Sequence, residues 1–65
     1  MNNSAKIESL EDADTKIRDV RSEVRKLEKK DELNIHEQNR LINCKYYLSK
    51  ALNNLNQAIS YLSNQ

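Results

Sequence analysis

The chain has 65 residues, of which 32% are charged, 37% hydrophobic and 5% aromatic, with no glycine, proline, tryptophan or phenylalanine. That makes one small domain at most, and a chain this short withdraws only about 60% of its unfolded surface from water, so its own core is thin. Eleven basic against ten acidic residues leave a net charge of +1, too little to pull the whole molecule onto nucleic acid or an anionic membrane.

The composition belongs to helical bundles and coiled coils, and it argues against an enzyme. Phosphate-cradling loops need glycine for close backbone approach, and metal sites need clustered Cys and His; the chain offers one Cys44 and one His36. No cofactor and no metal are expected. A single cysteine cannot close an internal disulfide, and secreted chains of this size normally carry several, so a reducing, cytoplasmic setting is expected. Met1 to Lys6 lead into a charged stretch and not an apolar one, so no secretory signal is read there. No run of about 18 apolar residues is present to span a bilayer, and no membrane partner is expected.

In chain order, residues 1–6 read as a flexible lead. Leu10, Ala13, Ile17, Val20, Val24 and Leu27 then recur in alternating steps of three and four, which aligns them along one narrow helical stripe. Acidic Glu8, Glu11, Asp12 and Asp14 gather near the start and basic Arg25, Lys26, Lys29 and Lys30 near the end, each group opposing the helix dipole. Asp12 with Lys16 and Asp14 with Arg18 stand at ion-pair spacing, worth a few tenths, roughly 0.2–0.5 kcal/mol, each. A first helix is predicted over about 8–31.

Carrying the heptad forward puts Asp31, Asn34 and Gln38 at the next core positions, before Leu41, Leu48, Leu55 and Leu62 resume it. Three polar layers interrupt the seam. Asn34 followed by Glu37 has capping-box spacing, in which the Asn oxygen accepts a backbone N–H, so a second helix is predicted over about 35–63. The connection, about 31–34, is short, and short connections favour antiparallel neighbours; a continuous bent helix is the alternative in a chain without glycine or proline. The fold expected is all-α, an antiparallel two-helix hairpin completed by a partner chain or by dimerisation.

The second helix carries a wider apolar surface than the first. Its Leu41, Leu48, Leu55, Leu62 ridge is flanked on one side by small Cys44, Ala51 and Ala58, and on the other by Lys45, Leu52 and Ile59. One narrow stripe can cover one flank only, and each large apolar side chain left wet forgoes about 1.5–3 kcal/mol. From Ala51 to Gln65 there is no acidic or basic side chain, which suits a covered surface, since interfaces are poor in Lys and Glu and rich in Tyr; an Asn-rich coding bias gives the same composition. Leu48, Leu52, Leu55, Ile59, Tyr61 and Leu62 are the candidate partner contacts. Cys44, at a core-facing position, reads as a small hydrophobe, and His36 as a solvated first-turn residue. Arg18, Arg21, Arg25 and Lys29 project from one side of the first helix, a row able to meet phosphates. Interleaved Asp19, Glu23 and Glu28 dilute its field, and no aromatic stacking platform accompanies it.

Lys26-Leu27 with Lys29-Lys30-Asp31 at the close of the first helix, followed by Ser49-Lys50-Ala51-Leu52 and then Ile59 and Tyr61, resemble the small E-type (YscE/EscE-like) co-chaperones of type III secretion needle subunits. The resemblance implies a cytoplasmic helical hairpin that pairs with a larger helical-repeat chaperone, the pair holding an aggregation-prone needle subunit soluble and monomeric. The competing expectation is a homodimeric four-helix bundle that binds RNA or DNA through the Arg18 to Lys29 row.

Overall fold

The computed structural model describes residues 3–30 and 32–64. It contains two helices, α1 (Ser4–Glu28) and α2 (Ile35–Ser63), packed side by side and antiparallel. The side-chain amide of Asn3 donates to the carbonyl of Leu62 at 3.3 Å at one end, and Lys45 meets Glu28 at 2.7 Å at the other. The molecule is a rod, with Cα extents of 53 × 14 × 10 Å and a radius of gyration of 15.3 Å, where a compact chain of this length would have about 11 Å.

The start of α2 follows its cap. The Asn34 side-chain oxygen accepts the Glu37 N–H at 2.9 Å, with Asn34 itself extended, so one of the orphan donors of the first turn is satisfied. α1 differs from expectation at both ends. It begins at Ser4, so Ser4 to Lys6, expected to be flexible, form its first turn, while Met1 and Asn2 lie outside the described residues. The reason is at the far end of α2: Ile7 is half-buried against a partner helix long enough to shelter it. The acidic cluster consequently starts one turn in, and the first turn carries no carboxylate. α1 ends at Glu28, three residues earlier than expected, as Lys29 and Lys30 donate to the carbonyls of Lys26 and Leu27, both at 3.2 Å, in a tightening last turn. Asp31, read both as the end of the first helix and as the start of the connection, lies outside the described residues. Glu32 completes the reversal with φ of 75°, a left-handed conformation that glycine takes freely and a residue with a Cβ does not.

The seam between the helices is not the stripe read from α1 alone. Residues turned toward α2 are Ile7, Leu10, Asp14, Ile17, Arg21, Val24 and Glu28, all half-buried or better; Leu10, Ile17 and Val24 belong to both patterns. Val20 is 49% exposed and Leu27 41% exposed, so the Ala13, Val20, Leu27 column lies at the edge and the Asp14, Arg21, Glu28 column takes its place inside. On α2 the residues facing α1 are Leu41, Lys45, Leu48, Leu52, Leu55, Ile59 and Leu62. The flank that α1 covers is therefore the one bearing Leu52 and Ile59, and the open flank is the small one. Cys44, expected in the core, is exposed for that reason.

Val24, at 7%, and Leu52, at 4%, are the two buried apolar residues among those described. The total accessible surface, 5328 Å², exceeds by about 1,000 Å² what a folded monomer of this mass typically shows, roughly 4,300 Å². Among the described residues no helix is long and apolar enough to cross a membrane.

A candidate docking face along one side of the hairpin

The two sides of the hairpin differ in chemistry. In antiparallel helices the flanks that meet on one side are linked, and on the first side these are Asp14, Arg21 and Glu28 of α1 with Lys45, Ser49, Leu52, Asn56 and Ile59 of α2. The Glu28–Lys45 ion pair, with both side chains about two-thirds or more withdrawn from water, and a long hydrogen bond from Arg21 Nη1 to Ser49 Oγ at 3.4 Å tie this edge together. Arg18 binds back to Asp14 one turn earlier, and the other Asp14 oxygen is buried with no hydrogen-bond partner. A shallow cleft of about 280 Å³ lies here among Glu11, Asp14, Thr15, Asn56 and Ile59. Arg21 and Lys45 are both half-buried, long side chains whose charged ends reach Ser49 and Glu28.

The second side is apolar and open. α1 contributes half-buried Ala13 and exposed Val20 and Leu27, seven residues apart, and α2 contributes exposed Cys44 and half-buried Ala51 and Ala58 at the same interval. Near the turn this strip widens into a cleft of about 220 Å³ lined by Leu27, Leu33, Glu37, Arg40 and Leu41. Tyr47 and Tyr61, 66% and 76% exposed, rim the strip on α2. Tyr47 is braced by Tyr46, whose ring meets it edge-on at 5.2 Å, and Lys50 sits 5.3 Å from the Tyr46 ring centre and 6.0 Å from that of Tyr47, a cation–π arrangement. Outside the strip on α1, Lys16 and Glu23 are both exposed.

The six residues singled out from sequence for partner contact are divided by this arrangement. Leu52 is buried between the helices, and Leu48, Leu55, Ile59 and Leu62 are half-buried along the same seam, so their larger surfaces are spent inside the hairpin. Tyr61 remains fully available. Val20, Leu27, Ala51 and Ala58 were not among the six. The signal that points to them is the linkage between flanks: once α1 shelters Leu52 and Ile59, the columns on the opposite side of both helices must be left outside together.

The basic row is also divided. Arg18 is engaged by Asp14, and Arg21 is half-buried and donates to Ser49. Arg25 and Lys29 are exposed. Among the described residues no three His, Cys, Asp or Glu side chains converge as a metal site would require. No protein-family model matches the chain, and no curated protein or solved structure matches it significantly.

Proposed function

We propose that this chain is a small helical adaptor of the co-chaperone kind, which works by giving an unsheltered helical face to a larger helical partner. One observation carries the reading: Val20 and Leu27 stand exposed beside the small-residue flank of α2, in a molecule that buries just two apolar side chains among those described. Amphipathic helices dock in this way, laying an apolar face into a groove on another helical surface. The resemblance to the E-type co-chaperones supplies the class of partner, a cytoplasmic helical-repeat chaperone that helps keep a secretion needle subunit soluble. In this form docking uses the Cys44, Ala51, Ala58 flank with Tyr61 at its rim, and Leu52 and Ile59 support the hairpin from behind.

Co-expression with a helical-repeat chaperone followed by size exclusion should give a one-to-one complex. Ala51→Glu should abolish it while leaving the helix content unchanged, and Arg25→Ala on the other side should leave it intact. Failure of any such chaperone to bind, or binding indifferent to Ala51→Glu, refutes the reading. The competing reading, a regulator that grips RNA or DNA through Arg18, Arg21, Arg25 and Lys29, is weakened because Asp14 already pairs with Arg18 and Arg21 is half-buried and bonded to Ser49. It requires affinity for nucleic acid that falls steeply with salt.

A further inference from the structure

We infer that, in the absence of another partner, the open face is closed by a second copy of this chain, laid antiparallel about a two-fold axis that crosses α1 at Val20 and α2 at Ala51. The inference rests on the reading that this face is a docking surface, and it adds the occupant and the register.

One feature of the molecule favours pairing, and two more place the axis. The first is area. A rod of these proportions shows about 1,000 Å² more surface than a folded monomer of this mass typically does, and a standard interface takes roughly 800 Å² from each partner, so a long side of the rod is large enough to pair.

The second is register. A two-fold interface pairs each residue with a counterpart on an identical surface, so the strip must complement its own reverse. The triplet Ala13, Val20, Leu27 turned about Val20 sets Ala13 against Leu27 of the second copy, small against large, with Val20 against Val20. The triplet Cys44, Ala51, Ala58 turned about Ala51 sets small residues against small ones, which lets α2 approach its counterpart closely. Both centres lie at one height along the rod, because Arg21, next to Val20, hydrogen-bonds Ser49, two residues from Ala51. A single axis therefore serves both helices.

The third is charge. Turning α1 about Val20 brings Lys16 to within one residue, about 1.5 Å of rise, of Glu23 of the second copy, and Glu23 as near to its Lys16, giving two symmetric ion pairs at the rim. Glu23 is free to be shared, since its contact with Lys26 is a loose one of 3.3 Å between exposed side chains. The rod is also polarised along its length. The half holding residues 3–17 and 51–64 carries Lys6 and Lys16 against Glu8, Glu11, Asp12 and Asp14, a net −2, and the half holding the turn carries the compensating excess of Lys and Arg. The antiparallel arrangement lays the acidic end of one rod along the basic end of the other. An axis running parallel to the rods would bring like ends together instead.

The test uses the full chain. Sedimentation equilibrium should give twice the 7.6 kDa chain mass at micromolar concentration. In a Cys44→Ala background, Val20→Cys should oxidise to a disulfide-linked dimer, because the axis puts the residue opposite itself, whereas Arg25→Cys on the far side should not. Glu23→Lys should weaken dimerisation at least tenfold at low salt, and adding Lys16→Glu should restore it. A dimer that neither cross-links through Val20→Cys nor responds to the charge exchange overturns this register while leaving the docking face in place. A monomeric chain that captures a helical-repeat chaperone through Ala51 overturns self-association alone. A monomer that remains cooperatively folded and takes no partner overturns both.

Discussion

Leu52→Ala isolates the packing on which the hairpin depends. Leu52 is 4% exposed, near the middle of α2 and facing α1, so nearly the full transfer term of the deleted atoms is lost. Three carbons at about 0.8 kcal/mol each come to roughly 2.4 kcal/mol. The cavity term adds to that, though less than in a large core, because a two-helix seam is open along its edges and can close part of the gap; a total of about 3 kcal/mol results. A 65-residue domain has about 3–10 kcal/mol to lose, and small scaffolds sit at the low end of that range. The variant should therefore be largely unfolded at room temperature when dilute. Urea titration followed by far-UV circular dichroism, at one fixed chain concentration for all variants, measures the loss. Ile42→Ala, at a position 52% exposed, is the control and should cost no more than about 0.5 kcal/mol. Equal shifts for the two variants would refute the placement of Leu52 at the centre of the seam.

Three further outcomes follow from the turn, the cap and the polar edge. Glu32→Gly should raise stability by up to about 1 kcal/mol, because the left-handed backbone at φ 75° penalises a Cβ by more than glycine adds in unfolded-state freedom; thermal melts of the two chains compare them directly. Asn34→Ala should cost about 1 kcal/mol through loss of the bond to the Glu37 N–H, and Asn34→Ser should recover most of it, as read by the same denaturation assay. A double-mutant cycle on Glu28 and Lys45, each changed to Ala, should give a coupling of no more than about 1 kcal/mol that shrinks in concentrated salt, since both side chains keep about a quarter to a third of their surface in water. A coupling well above that would place the pair in a drier setting than the seam provides.

The second helix and its start are legible in the sequence because their signals are local. Asn34 and Glu37 announce a cap, and the seven-residue leucine ridge declares its own face. The pairing of flanks is not local. Read alone, α1 offers Ala13, Val20 and Leu27 as its more apolar column, and that choice is sound for an isolated stripe. Joined to an antiparallel partner, the column that turns inward is the one on the same side as Leu52 and Ile59, namely Asp14, Arg21 and Glu28. Their polar ends find Arg18, Ser49 and Lys45. Sheltering a leucine and an isoleucine while pairing Arg21 with Ser49 and Glu28 with Lys45 decides an arrangement that neither helix determines separately. The candidate site moves with it, from the large flank of α2 to the small one. Ile7 escaped the sequence reading for a related reason: it lies three residues before Leu10 and continues the inward pattern, but that pattern becomes visible only with Asp14 and Arg21 counted as part of the seam.

The turn at Glu32 has a wider bearing on how this molecule comes apart. A reversal built around glycine would hold its shape without help, whereas here a side chain occupies backbone space that resists it, so the bend persists because the two rods grip each other on either side. The loop obeys the seam and does not direct it. Loosening that grip anywhere along the 53 Å rod gives the bend a reason to straighten, and neither helix has a separate core to fall back on. Unfolding should be a single event for both halves of the chain, with no surviving hairpin stub from which refolding could restart.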